Sequence, residues 1–142
     1  GTFSANPIST TAGRVAMELF DEAAVLKLNA LTETAIYQIE DAIKVADVPI
    51  SVTGAGSMFR LHLKAEKPNG YREAYQNAEE KEIVKNLLDY LFLEENIIMI
   101  NTGACMFATS MTQKEVDRLS EGLLNGFKVI KPKLEKLRQV KI

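Results

Sequence analysis

The sequence predicts an α+β fold in which a small, mainly antiparallel sheet of three or four strands is backed by helices, after a long N-terminal helical segment. Two patterns support this prediction. Apolar residues recur with the 3.6-residue helical period over several turns of residues 21–47. Residues 58–63 instead alternate between apolar and polar side chains, as a half-buried strand does. A chain of 142 residues is also long enough to bury a core of its own.

Four helices are predicted along the chain. Asn6-Pro7 is a typical helix start, and the apolar side chains of residues 8–20 lie on one side of the first helix. Gly13 weakens that helix by about 1 kcal/mol relative to Ala, so we expect a close packing contact at this position. The other predicted helices cover residues 21–47, residues 79–94 and the segment after a capping box at Thr112–Glu115, whose apolar face extends to Ile130.

The predicted strands are short and form two pairs. Residues 50–53 precede Gly54-Ala55-Gly56, which we interpret as a turn between strands and not as a phosphate-binding loop, because a strand follows it. Residues 97–100 and 105–109 are two further apolar runs, and the short polar segment between them predicts a tight turn. The alternating strand has Phe59, Leu61 and Leu63 on its apolar face and Met58, Arg60 and His62 on its polar face.

Composition and charge exclude several classes of function. The formal net charge of −2 argues against a nucleic-acid surface, because phosphate binding draws on clustered Lys and Arg. No apolar run approaches the roughly 20 residues that a membrane-spanning helix needs, and no secretory signal is visible. We therefore expect a cytoplasmic protein that binds neither nucleic acid nor membrane. The chain begins at Gly1 without a Met, which leads us to expect a piece of something longer.

A search for catalytic or metal-binding residues finds little. His62 is the single histidine and Cys105 the single cysteine, and they are far apart in sequence. No acidic residue is spaced to orient His62 as a base, so we expect a surface or interface histidine. The absence of paired Cys or His residues argues against a zinc site, and we predict no metal. The carboxylates at Glu73, Glu79, Glu80, Glu82, Glu94 and Glu95 are expected on solvated faces.

Three segments resemble one enzyme family. Residues 1–7, Gly-Thr-Phe-Ser-Ala-Asn-Pro, with Ala12-Gly13 shortly after, resemble a segment of the class III pyridoxal-phosphate (PLP) aminotransferases. Gly56-Ser57-Met58-Phe59 is similar to a strand of the glutamate-1-semialdehyde 2,1-aminomutases, and residues 103–117 resemble the strand and helix before that family's C-terminus. The sequence departs from the aminomutase pattern at Arg60, His62 and Met111.

The resemblance implies a C-terminal portion of a fold-type I PLP enzyme. Residues 1–20 would be the end of the large cofactor-binding domain, and residues 21–142 the small C-terminal domain. In the family the lysine that binds the cofactor precedes the segment matched by residues 1–7, so no lysine of this chain, from Lys27 onward, takes over its role. The resemblance therefore implies PLP in the parent enzyme, no catalytic residue in this chain, and no PLP binding by this chain alone.

The same resemblance implies the candidate site residues. Gly1 and Thr2 would contact the cofactor phosphate of the neighbouring subunit in a homodimer, because a phosphate needs neutral donors and a close backbone. Ser57, Met58 and Arg60 would face a small amino-acid-like substrate, and an arginine can hold a carboxylate in a bidentate pair. The expected partners are thus a second subunit and the missing large domain of the same enzyme. The alternative is a non-catalytic self-association module from a split or truncated gene.

Overall fold

The computed structural model describes residue 1 and residues 4–139, apart from the side chains of residues 138 and 139. The predicted α+β class with a small antiparallel sheet is confirmed, and the sheet has three strands within this part of the chain. In chain order the elements are α1 (Pro7–Leu19), α2 (Glu22–Ala46), β1 (Ser51–Ala55), β2 (Met58–His62), α3 (Tyr71–Ala74), α4 (Ala78–Leu93), β3 (Ala104–Met106) and α5 (Gln113–Gln139).

The strands form one antiparallel sheet in the order β1-β2-β3, with α2 packed closely on one face. The chain turns from β1 to β2 at Gly56, whose φ of +58° favours glycine. Gly54 pairs with Phe59, and a Cβ on Gly54 would come within 2.6 Å of Ile36 Cδ1 and 2.8 Å of the Met58 carbonyl oxygen. The turn between the strands is thus shorter than predicted, because Gly54 and Ala55 belong to β1 and, of these three residues, only Gly56 lies in the turn; the missing side chain at Gly54 lets the helix approach the sheet.

The hydrophobic core lies between the inner face of the sheet and the three long helices α2, α4 and α5. Fully burying a Leu, Val or Phe side chain stabilises a fold by roughly 1.5–3 kcal/mol, so this region is the main source of stability. Its most buried members are Val52, Phe59 and Leu61 from the sheet, Ala35 and Ile39 from α2, Val84, Leu87 and Leu91 from α4, and Val116, Leu123, Phe127, Ile130 and Leu134 from α5.

Side chains cap the starts of α1, α2 and α4. Asn6 Oδ1 accepts from the amides of the first turn of α1, and Asp21 Oδ1 accepts from the amide of Ala24 at 2.8 Å. Asn77 and Glu80 form a reciprocal capping box at α4, with N···O distances of 2.8 and 2.9 Å. Each such cap stabilises a helix by about 1 kcal/mol.

The last helix differs from its prediction at both ends. Glu115 Oε2 accepts from the Thr112 amide at 2.7 Å, as a capping box requires, but the Thr112 hydroxyl accepts from the Lys114 amide, two residues on instead of three. At the other end α5 continues beyond Ile130 through Pro132 to Gln139. The buried Leu134 extends the apolar face there, which offsets the cost of about 3 kcal/mol for a proline inside a helix.

The strand predicted at residues 97–100 is not formed, and this prediction is wrong. The Ile97 amide donates to the Leu91 carbonyl at the end of α4. Ile100 and Gly103 belong to a tight turn, in which the Gly103 amide donates to the Ile100 carbonyl at 2.8 Å. The strand predicted at residues 105–109 corresponds to the shorter β3, Ala104–Met106. Isoleucine-rich segments form strands only where a partner strand is available.

α1 lies on the surface with every one of its residues exposed. Ile8 is 81% exposed, Met17 72% and Leu19 74%, so its apolar side chains contact little of this chain. A Cβ on Gly13 would have no neighbour within 4 Å, and the close packing expected there does not occur among the described residues. None of the described helices is long and apolar enough to cross a membrane.

Candidate substrate-facing surface

The outer face of the sheet is the surface on which the sequence-predicted substrate residues meet. Side chains alternate along a strand, so the strand register places three rows of residues opposite the helix-covered face. At one end of this face the methionines are exposed, and at the other end the loop after β2 closes over the sheet, where Ser51 Oγ donates to the Glu66 carbonyl at 3.2 Å. The rows are Ala55, Met58 and Met106; Thr53, Arg60 and Ala104; and Ser51 and His62. We call these residues the open sheet face.

Arg60 occupies the middle of the open sheet face. Its Nε donates to the Thr102 carbonyl at 3.2 Å, which orients the guanidinium group. No carboxylate of the described residues forms an ion pair with it. A guanidinium has five N–H donors in a planar fork that matches a carboxylate, so Arg60 can bind an anionic group from outside the described chain.

His62 is buried, which corrects the expectation of a surface or interface histidine. Only 4% of the residue is exposed, and Ser51, which is paired with His62 in the sheet, donates to the Glu66 carbonyl in the loop after β2. His62 Nε2 lies 2.8 Å from Thr53 Oγ1, and the two atoms share one hydrogen bond. Burial lowers the pKa of His62, and the positive charges of Arg60 and Lys64 lower the same pKa further. The imidazole is therefore neutral at neutral pH, and its hydrogen bond with Thr53 joins β2 to β1.

The structure brings together three of the five predicted site residues. Ser57, Met58 and Arg60 are neighbours at the turn and first half of β2, and the Ser57 carbonyl accepts from the Phe107 amide at 3.2 Å. The Gly1 carbonyl accepts from the Ser4 amide at 2.9 Å, both residues are exposed, and no described hydrogen bond joins either of them to the sheet. Thr2 lies outside the described residues, so its predicted phosphate contact stays a prediction.

The lysines of the described chain are exposed or engaged by other groups. A lysine that binds the cofactor aldehyde has to be desolvated or otherwise activated, and the described lysines are exposed except Lys64 and Lys131. The ammonium of Lys64 donates to the carbonyls of Glu73 and Tyr75, and that of Lys131 to Ala46 and Asp47. The described lysines therefore offer no activated amine to the cofactor.

Sequence reasoning missed a buried polar cluster beside the core. Glu95 was expected on a solvated face, but only 8% of it is exposed. Its carboxylate accepts from Asn125 at 3.0 Å and from Tyr90 at 3.3 Å, and it pairs with Arg118 at 2.8 Å. The hydrogen bond from Asn125 and the charge of Arg118 lower the pKa of Glu95, despite its burial. The expectation also failed for Glu80, which is buried at the cap of α4.

Comparison with known proteins identifies the relatives of this chain. No family model matches it. The glutamate-1-semialdehyde 2,1-aminomutase of Chlamydia caviae is 38% identical over 77 residues, which are 54% of this chain and 18% of that protein. The aminomutase of Archaeoglobus fulgidus is 27% identical over 128 residues, which are 87% of this chain and 29% of that protein. The chain thus spans less than a third of the length of these curated relatives.

Solved structures give the same result for the fold. An omega-transaminase from Sphaerobacter thermophilus superposes with a TM-score of 0.85 at 28% identity, covering 92% of this chain and 30% of that one. A transaminase with PLP bound superposes with a TM-score of 0.79 at 24% identity, covering 95% of this chain and 30% of that one, and this second likeness concerns the fold alone. The chain is therefore homologous to a part of the glutamate-1-semialdehyde 2,1-aminomutases and has the fold of the corresponding part of the PLP-dependent transaminases.

Proposed function

We propose that this chain acts as the small domain of a PLP-dependent aminotransferase or aminomutase, resembling the glutamate-1-semialdehyde enzymes. In this proposal residues 21–142 form the domain that covers the active site, and residues 1–20 are the end of a large cofactor-binding domain. The homology to aminomutases and the transaminase fold support the enzyme class. The cofactor would be held by the large domain, because the described residues of this chain lack an activated lysine.

The observation that carries this proposal is that helices of this chain cover the inner face of the sheet but leave part of its outer face and all of α1 exposed. The inner face of the sheet is packed against helices, whereas the open sheet face exposes Met58 and Met106, and α1 is exposed along its whole length. Apolar surface that is left uncovered in this way is typical of a contact with another domain or subunit. We propose that the large domain packs on α1 and that the open sheet face borders the active site.

Each candidate site residue has a role in this proposal. Arg60, held by the Thr102 carbonyl, would bind the carboxylate of a small amino-acid-like substrate. Met58 and Ser57 would form the adjoining wall. Gly1 and Thr2 would contact the cofactor phosphate across the interface of a homodimer. Amino-group transfer itself would depend on groups that the large domain supplies.

A chimeric enzyme tests the proposal. The segment of the Sphaerobacter thermophilus omega-transaminase that superposes on this chain is replaced by residues 1–142, and the purified chimera is assayed for amino transfer with PLP. We expect a chimera that binds PLP and reacts with 4-aminobutanoate or glutamate-1-semialdehyde. A folded, PLP-loaded chimera that transfers no amino group while the parent transaminase does would contradict the proposal.

The isolated chain provides the complementary test. Titration of the 142-residue chain with PLP, followed by mass spectrometry, should give no stoichiometric adduct at a single lysine, since the described lysines are exposed or engaged by carbonyl and carboxylate groups. An adduct at one defined lysine would mean that the chain holds a complete cofactor site. The alternative of a non-catalytic self-association module is not favoured by the homology, and a coding sequence directly upstream that carries the cofactor lysine would exclude it.

A further inference from the structure

A second surface, which borders the open sheet face at Met106, has the properties of a ligand site. A cavity of about 560 Å³ lies between β3, residues 96–98 and the first half of α5. Pockets for small molecules usually have about 300–1,000 Å³, so this cavity can enclose a ligand of roughly ten to fifteen heavy atoms. It opens to solvent on one side. We call it the α5 cavity.

The wall of the α5 cavity is mainly apolar. Phe107 and Leu119 form its buried floor, with 7% and 6% of each residue exposed. The half-buried Ile97 and Met111 form its sides, and the exposed Ile98 lies at its mouth. Such a wall gives up water readily to an apolar ligand, and the methionine can adapt to the ligand's shape.

The rim of the α5 cavity carries more negative than positive charge. Glu115, Asp117 and Glu121 lie on it together with Lys114 and Arg118. The charge of Arg118 is already balanced, because its guanidinium lies 2.8 Å from the buried Glu95 carboxylate. Three rim carboxylates therefore stand against one ammonium group, that of Lys114.

Two of these carboxylates are held in their ionised form. Thr112 donates to Glu115 through its hydroxyl and its amide, and these bonds lower the pKa of Glu115. Gln113 and Gln38 both donate to Asp117 Oδ1 at 2.7 and 2.9 Å, and lower the pKa of Asp117. The second oxygen of Asp117, Oδ2, accepts neither of these bonds and is free to accept from a ligand. Glu121 lies 4.0 Å from Arg118, at the limit of an ion pair.

We propose that the α5 cavity binds an amphiphilic amine, with the apolar body on Phe107, Met111 and Leu119 and the ammonium group at Asp117 and Glu121. An apolar body matches the wall, and a single positive charge matches the uncompensated carboxylates at the rim. This inference does not depend on the proposed aminotransferase function, because it involves no cofactor and none of Ser57, Met58 and Arg60, although Met106 borders both surfaces.

Three probes of equal shape test the charge of the ligand. The ¹⁵N-labelled chain is titrated with 4-phenylbutylamine, 4-phenylbutanoate and 4-phenylbutan-1-ol, and amide shifts are followed. We expect saturable shifts at Ile97, Phe107 and Leu119 with a Kd for the amine on the order of 1 mM, as befits so small a ligand. The acid should bind at least about tenfold more weakly, with the alcohol in between. Equal binding of amine and acid, or no saturable shift at these residues, would overturn the proposal.

Substitutions on the exposed rim keep the test independent of folding. The double variant Asp117→Asn, Glu121→Gln retains the Oδ1 acceptor of residue 117 but loses two charges, so the preference for the amine should fall about five- to tenfold. The control Glu135→Gln removes an exposed carboxylate elsewhere on α5 and should leave both affinities unchanged. Met111→Trp should fill the cavity and weaken all three probes alike. A response of Glu135→Gln equal to that of the double variant would contradict the proposed site.

The oligomeric state in solution tests whether a second copy of the chain occupies the cavity. Light scattering of the chain with and without the amine should show no change in mass. If the chain instead forms a dimer whose dissociation accompanies amine binding, a second copy occupies the cavity and the proposal of a small-molecule site is wrong.

Discussion

Two arginines, Arg60 on β2 and Arg118 on α5, illustrate how differently the charges on this molecule are partnered. Arg118 donates to the carbonyl of Glu95 at 2.9 Å and forms a salt bridge with the Glu95 carboxylate at 2.8 Å. Arg60 also donates to a carbonyl, that of Thr102, but finds no carboxylate in the described chain. The charge of Arg118 is thus paired within the chain, whereas Arg60 on the open sheet face is an oriented charge without a carboxylate partner among the described residues. A charge that is paired within the chain stabilises the fold. A charge without a partner in the described chain is available to a substrate or to another domain.

The largest effect on stability should come from removing the charge of Glu95, which pairs with Arg118. Glu95→Gln removes the charge that Arg118 and Asn125 share, and we expect the free energy of unfolding to fall by about 2 kcal/mol. Urea denaturation measures this change. Glu121→Gln is the matched control, because its contact with Arg118 is long and exposed, and it should change stability by less than about 0.5 kcal/mol. Equal effects of the two variants would mean that the Glu95 cluster contributes no more than the surface.

The acid sensitivity of the chain should depend on the same carboxylate. Asn125 and Arg118 lower the pKa of Glu95 in the folded state, below its value of about 4.3 in an unfolded chain. The stabilisation is therefore fully present above about pH 4.3 and is lost as the pH falls through the folded pKa. In Glu95→Gln this part of the acid transition should be absent. An unchanged acid transition in the variant would show that other carboxylates account for it.

A smaller, pH-dependent effect is expected at the closed end of the open sheet face. Burial lowers the pKa of His62 in the folded state below the unfolded value of about 6.5. At higher pH both states are neutral; as the pH falls below about 6.5, the unfolded state takes up the proton first and stability decreases until the folded pKa is passed. His62→Gln should lose this dependence between about pH 7.5 and 5.5. If the variant keeps the same slope, His62 is not its source.

The smallest effects on stability are expected at the uncovered surfaces. Arg60→Gln should change the free energy of unfolding by less than about 0.5 kcal/mol, because no carboxylate of the described chain depends on it. Gly13→Ala should stabilise the helical state of α1 by about 1 kcal/mol and so raise its helix content, because a Cβ at this position meets no neighbour within 4 Å. Circular dichroism and urea denaturation check both. A loss of more than about 2 kcal/mol in either variant would contradict the view of these surfaces as free of internal contacts.

Where local patterns decided the outcome, the sequence predicted the fold well. The alternation in β2 correctly placed Phe59 and Leu61 inward and Met58 and Arg60 outward, and the helical period correctly identified α2. The cap Asn77-x-x-Glu80 was missed, although the spacing of an Asn and a Glu three residues later could have revealed it.

Where distant segments decided the outcome, the sequence did not predict it. His62 is buried although it lies on the polar face of β2, which no alternation within β2 can indicate. Glu95 is buried because Arg118 and Asn125, 23 and 30 residues further along, supply its hydrogen bonds. Residues 97–100 have strand-forming side chains but lack a partner strand among the described residues. The open sheet face could be inferred from β2 alone, whereas the α5 cavity needed the packing of three separate segments.

The kinetics of Arg60→Gln in the chimeric transaminase test most directly whether the open sheet face holds the substrate carboxylate. The KM for 4-aminobutanoate, which has a carboxylate, is compared with the KM for n-butylamine, which has none. We predict that the variant raises the KM for 4-aminobutanoate by about tenfold or more and leaves that for n-butylamine within about twofold. Equal changes for the two amines, or no change for either, would contradict the assignment of Arg60 and of the open sheet face to the active site.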